Sequence, residues 1–141
     1  MQGFPDLAEN FATTNLETVK KFIKARLNLP KEKADILILA GGGHEKFARH
    51  SGIKYEANTL YKDDASPIMM DIETREKETE RYYKAISLDE IRNRVNDSDW
   101  WYATRAMSAF VLVVAEEIGA KYIVPTDIAM VYGILDEGVN R

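Results

Sequence analysis

The stretch that most limits how this chain can fold is Asp35-Ile-Leu-Ile-Leu-Ala-Gly-Gly-Gly-His44, a charge-free apolar run that ends against three consecutive glycines. Ile36 to Leu39 are continuously apolar rather than alternating. That pattern predicts a buried strand covered on both faces, as in a parallel sheet flanked by helices. Gly41, Gly42 and Gly43 then permit positive φ and remove every Cβ, so that another backbone, or a ligand phosphate, can come close to main-chain N–H groups. His44 to His50 is helix-compatible, and a helix start directly after such a turn is rich in unpaired N–H donors. Two readings follow: an anion site, or a turn whose glycines only let strand and helix pack closely.

Around this stretch the sequence predicts an α/β chain. The 141 residues fit one domain with a real core. Thr14-Asn-Leu-Glu17 has the form of a capping box opening an amphipathic helix. In that helix Leu16, Val19, Phe22, Ile23 and Leu27 share one side, and Pro30 closes the segment. Its lysines form a solvated face in preference to a phosphate-attracting one. Ile53 to Glu56 alternates as a half-exposed strand, Pro67 to Ile72 reads as a second short strand and Arg81 to Ile86 as a third. The charged run Glu73 to Glu80 between them reads as a salt-bridged turn or helix rather than an acid/base or metal cluster. Ser87-Leu-Asp-Glu90 is a second capping box. Trp100 to Ile118 is the longest apolar helix, stopped by Gly119. Trp100, Trp101 and Tyr102 fit packing at the domain edge better than stacking on a base. Lys121 to Pro125 repeats the apolar strand pattern, and Thr126 or Asp127 caps a final helix through Leu135 that contains Gly133.

Composition excludes several functions. Without cysteine there is no disulfide, thiolate metal site or cysteine nucleophile, and with only His44 and His50 a histidine-rich zinc site is excluded. A net charge of −4 without a dense basic face argues against nucleic acid. The longest apolar stretch, Ala109 to Ala115, is too short for a membrane span, and the N-terminus lacks the features of a signal peptide. A cytoplasmic location is the expectation.

Four elements, in order, resemble the C-terminal half of the exopolyphosphatase/guanosine pentaphosphate phosphatase (Ppx/GppA) family of the actin-like ATPase superfamily. Leu39-Ala40-Gly41-Gly42-Gly43 matches a strand ending in Gly-Thr-Gly-Gly. Ile86-Ser-Leu-Asp-Glu-Ile91 matches a segment of the type leucine, serine, leucine, acid, acid, leucine. Arg105-Ala106-Met107 stands for Arg-Ala-Asp at a long apolar helix, and Thr126-Asp127 through Gly133 for Ser-Asp-x-Gly-Leu-Arg-Glu-Gly. The match covers about residues 16 to 137. Met107 departs from the aspartate, Val131 and Tyr132 from the arginine and glutamate, and Ala40 from the threonine; Tyr55 to Glu80 reads as a local insertion.

The resemblance implies an irregular lead-in over 1–13 and, over 14–141, the C-terminal subdomain of a ribonuclease H-like domain, with an inserted β-rich, charged segment at about 53–86. It implies that Gly41, Gly42, Gly43 and His44 contact phosphate or nucleotide, with Lys46 and Arg49 as secondary electrostatic contacts. No catalytic residue and no metal ligand is carried over. The phosphate loops and the catalytic glutamate lie upstream of the matched half, so the chain alone is expected to be inactive; Mg²⁺ belongs to an intact family member. Expected partners are a phosphate-containing small molecule or polyphosphate, and either the missing N-terminal half or a second copy. Whether strands near Ile53, Met69 and Tyr82 or a homodimer cover the open edge beside the Ile36 strand is left open. The alternative is a non-catalytic interaction or regulatory module that keeps the fold.

Overall fold

A computed structural model describes residues 13–41, 44–50, 54–60, 67–90 and 103–128. In chain order the elements are α1 (Leu16–Lys24), β1 (Ile36–Ala40), α2 (His44–His50), β2 (Glu56–Ala57), β3 (Ile68–Asp71), α3 (Ile72–Lys84), α4 (Ala103–Ile118) and β4 (Tyr122–Thr126). The chain is thus mixed α/β, with a four-stranded sheet in the order β1-β4-β3-β2. β1 and β4 are parallel, whereas β3 runs antiparallel to both β4 and β2.

α4 organises the core because it is apolar on two sides. Val111 and Ala115 meet Leu37, Leu39 and Ile123 of the sheet, while Ala109 and Val113 meet Leu16, Val19 and Ile23 of α1. Leu112, Val19 and Val124 are fully buried, and each such side chain contributes about 1.5–3 kcal/mol through removal from water. Gly119, at φ +76, turns α4 into β4 as the sequence predicts. On β4, Val124 and Thr126 alternate to the face opposite Ile123 and are buried too, so both faces are covered at this strand.

Several expectations are corrected. The cap of α1 is Asn15, whose Oδ1 accepts from Thr18 N–H at 2.9 Å, and not Thr14. Asn15 holds the extended backbone that an N-cap needs, and α1 ends at Lys24, well before Pro30. Arg81 to Ile86 forms no strand, since α3 runs through Lys84. The reason is its start: Asp71 Oδ1 accepts from Thr74 N–H at 2.7 Å, and the pairs Glu73–Lys77 and Glu80–Lys84 follow at helical spacing. The charged run 73–80 is therefore a salt-bridged helix, one of the two forms anticipated for it. Only Glu56 and Ala57 of the Ile53 region pair as strand, and Ile53 itself lies outside the described residues.

Among the described residues β1 is an edge strand, and none of its residues is fully buried, against the expectation of a buried strand covered on both faces. The strands at Glu56 and Met69 stack beyond β4 on the far side, so they do not cover the edge beside β1, and Tyr82 is helical. Among the described residues no strand pairs with that edge, and Ile38 is 45 % exposed. The final helix beyond Ile128, with Val131, Tyr132 and Gly133, lies outside the described residues, as do Trp100, Trp101 and Tyr102.

Candidate functional site at the carboxyl ends of β1 and β4

Because β1 and β4 are parallel and in register, Ala40 faces Thr126 and the two strands end side by side. The glycine turn and the Thr126-Asp127 segment, far apart in sequence, are thereby neighbours. Open α/β sheets bind ligands just outside the carboxyl ends of their strands.

Gly41 has φ +79, a conformation that L side chains rarely adopt, so the first glycine is required by the backbone rather than by space. A Cβ there would meet the Ile128 carbonyl oxygen only at 4.0 Å. Gly42 and Gly43 lie outside the described residues, and α2 begins at His44. The backbone N–H of Glu45 donates to Asp127 Oδ1 at 2.8 Å, so one helix-start donor is already matched to a carboxylate. The Thr126 hydroxyl accepts from Ile128 N–H at 3.2 Å, the spacing an N-cap makes, and the final helix it is expected to cap lies outside the described residues.

His44 is half-buried beside this contact. Burial holds its imidazole pKa below the ordinary value and the Arg75 guanidinium adds to that effect, while Asp127 opposes it. The ring is therefore neutral at pH 7 and presents one donor and one acceptor. Arg49, expected as an electrostatic contact, is engaged by Glu45 through Nε at 2.9 Å and Nη2 at 2.7 Å. The Lys46 and His50 side chains lie outside the described residues.

Two groups escaped the sequence reading. Asp127, which with Thr126 is expected as a cap of the final helix, also serves α2, across 82 residues of chain. Arg75 was assigned to a solvated charged run, yet its Nε is shielded from solvent and its Nη2 donates to Ser108 Oγ at 3.2 Å. A helical reading of 72–84 would have placed Arg75 on one stripe with Glu78 and Tyr82, a buried stripe interrupted by charge.

The other two motif segments also meet. Arg105 donates from Nε to the Tyr82 carbonyl and from Nη2 to the Ile86 carbonyl, both at 2.7 Å, and Tyr83 Oη donates to the Arg105 carbonyl at 3.1 Å. Ser87 Oγ accepts from Glu90 N–H at 3.1 Å, as a capping residue should. Met107 points outward, 37 % exposed.

A separate cleft of about 370 Å³ lies at the opposite end of β1, lined by Lys24, Leu27, Pro30, Lys33 and Glu117. Two of its lysines clamp the end of α4: Lys24 pairs with Glu117, and Lys33 Nζ donates to the Glu117 carbonyl at 2.6 Å, while Lys31 also lines the cleft. Among the described residues, no group of three or more acidic or histidine side chains is placed to hold a metal ion. None of their helices is long and apolar enough to cross a membrane. No family model matches the chain, and no curated protein matches it.

Proposed function

We propose that this chain is the C-terminal, phosphate- or nucleotide-contacting portion of a Ppx/GppA-like phosphatase with a ribonuclease H-like core, acting in the cytoplasm on a polyphosphate or guanosine pentaphosphate phosphoanhydride. The observation that carries the reading is the juxtaposition of the first and last motif segments: Glu45, after the glycine turn, is bonded to Asp127, after β4. The join between Arg105 and Ile86 gives the two middle segments the same relation. Independent motifs that meet in space at the strand ends are what a shared ligand site requires.

In this reading Gly41 sets the turn, the N–H groups that follow it meet ligand oxygens, and neutral His44 donates or accepts a hydrogen bond without adding charge. Asp127 holds the start of α2 in place. Hydrolysis needs a positioned water, a base and charge stabilisation, which belong to the upstream half. No step is assigned to a metal on this chain.

Calorimetric titration of the isolated chain with polyphosphate, guanosine pentaphosphate and ATP tests the proposal. Saturable heat from at least one, lost in Gly41→Val, is expected, with no phosphate release by the chain alone. Absence of binding at millimolar ligand would overturn it.

A second reading, a non-catalytic module that self-associates, draws on the edge of β1 that no strand among the described residues pairs with, and on the exposure of Ile38 and Met107. It requires a dimer that survives dilution to micromolar concentration in sedimentation.

A further inference from the structure

The polar backbone groups along β1 have a fixed direction. The Asp35 carbonyl accepts from Tyr122 N–H at 3.1 Å, so Asp35, Leu37 and Leu39 turn their N–H and C=O groups toward β4, and Ile36, Ile38 and Ala40 turn theirs away from it. Among the described residues no strand takes up those outward groups. The surfaces beside them are apolar. Ile38 is exposed on one face of the sheet. Over the other face, α4 meets α3 through Arg105 and Ser108 and the sheet through Val111, which leaves Met107 and Phe110 exposed on the flank away from α3, on the β1 side. The strand that fits such an edge is charge-free and apolar on both faces. β1 is itself that strand, since Ile36 to Ala40 carries no charge to oppose its own copy.

We propose that two copies of this chain pair antiparallel through β1, about a two-fold axis at Ile38, joining their sheets into one, and that each copy thereby supplies Lys31 to the other's glycine turn. This register sets Ile36 opposite Ala40 and uses all three outward residues; a centre one residue to either side leaves an end residue without its partner in the strand. Antiparallel pairing also brings the amino end of one β1 to the carboxyl end of the other, with Asp35 opposite Gly41. Lys31 and Lys33 precede Asp35 and line the cleft at that end with Lys24, against the single carboxylate of Glu117. Lys31 is exposed and its ammonium makes no hydrogen bond or ion pair among the described residues, while the Asp35 carboxylate is matched by Lys121 at 2.8 Å. Within one copy, Arg49 beside the turn is already held by Glu45. The second copy's Lys31 brings the cation that main-chain donors need to hold a polyanion. The pairing stands on geometry alone, and the role of Lys31 rests on the proposed function.

The chain has no cysteine, so one introduced thiol reports its own position. Ile38→Cys in the full chain, treated at micromolar concentration with a short thiol-to-thiol crosslinker, should give a covalent dimer, because the two copies of this position stand ~5.5 Å apart. Ile36→Cys should crosslink about tenfold less, its two copies lying ~13 Å apart along the strand. The wild-type chain should sediment as a dimer at the same concentration, which decides even if a variant fails to fold. A monomer there, or equal crosslinking at the two positions, overturns the inference. Tripolyphosphate affinity should fall about tenfold in Lys31→Ala, and unchanged affinity overturns the shared site. Crosslinking at Ile38→Cys with no binding of tripolyphosphate, guanosine pentaphosphate or ATP would overturn the proposed function and leave the pairing. Binding by a monomer would leave that function and overturn this inference.

Discussion

Glu45 and Asp127, 82 residues apart, are joined by a 2.8 Å hydrogen bond from the backbone N–H of one to the carboxylate of the other. This contact ties the start of α2 to the end of β4, so the geometry of the glycine turn depends on a residue from the far end of the chain. Asp127 stands to α2 as an N-cap does, and loss of such a cap costs about 0.5–2 kcal/mol. Asp127→Ala should lower the urea midpoint accordingly, with Asp127→Asn retaining most of the stability. An unchanged midpoint in the alanine variant would show that the bond contributes nothing.

The start of α3 should govern part of the acid sensitivity. Hydrogen bonds from the Thr74 backbone N–H, first, and its hydroxyl hold the Asp71 carboxyl below the ordinary carboxylate range. A carboxyl with a depressed folded pKa contributes stability above its unfolded value, and that contribution is lost as the pH falls through the folded one. Asp71→Ala should cost about 1 kcal/mol at pH 7 and less at strongly acid pH. A cost independent of pH would contradict the assignment.

His44 should act with the same sign in a higher window. Its imidazole is held below the ordinary value chiefly by burial, so the unfolded chain binds the proton first as the pH falls. Stability should be full above about pH 6.5 and decline as the pH drops toward the folded pKa. Chemical denaturation between pH 7.5 and 5 should show this slope reduced in His44→Gln. An NMR-measured His44 pKa above 6.5 would refute it.

Arg105 spans two carbonyls, those of Tyr82 and Ile86, with one planar fork. A lysine ammonium is a point donor on a flexible stem and cannot reproduce that geometry. Arg105→Lys should therefore destabilise by about 1–3 kcal/mol, measured from the denaturation midpoint. Wild-type stability would mean that the fork is dispensable.

Elements dictated by local pattern were legible in the sequence. Ile36 to Leu39 and Tyr122 to Val124 are too apolar to lie anywhere but in the sheet, and the helical spacing of Val111, Val114, Ala115 and Ile118 together with Gly119 fixed α4 and its end. Arg81 to Ile86, with two adjacent tyrosines and an isoleucine, has strand-favouring residues locally, whereas its helix is specified ten residues upstream, at Asp71. The edge position of β1 could not be read at all. It depends on β3 taking the far side of β4, a choice made by tertiary packing rather than by any property of Ile36 to Ala40. For the site, the glycine turn was visible, but Asp127 and Arg75 enter it only through that same topology.

The account depends on the turn after β1 presenting main-chain donors to a phosphate ligand beside Asp127. The most direct measurement is an amide NMR titration of the chain with polyphosphate, read at Gly41, His44 and Glu45. The expected result is saturable shifts confined to these amides and to those at the end of β4. Contradiction would come as unmoved amides at millimolar ligand, with Glu45 N–H still bonded to Asp127, in which case the turn serves packing alone.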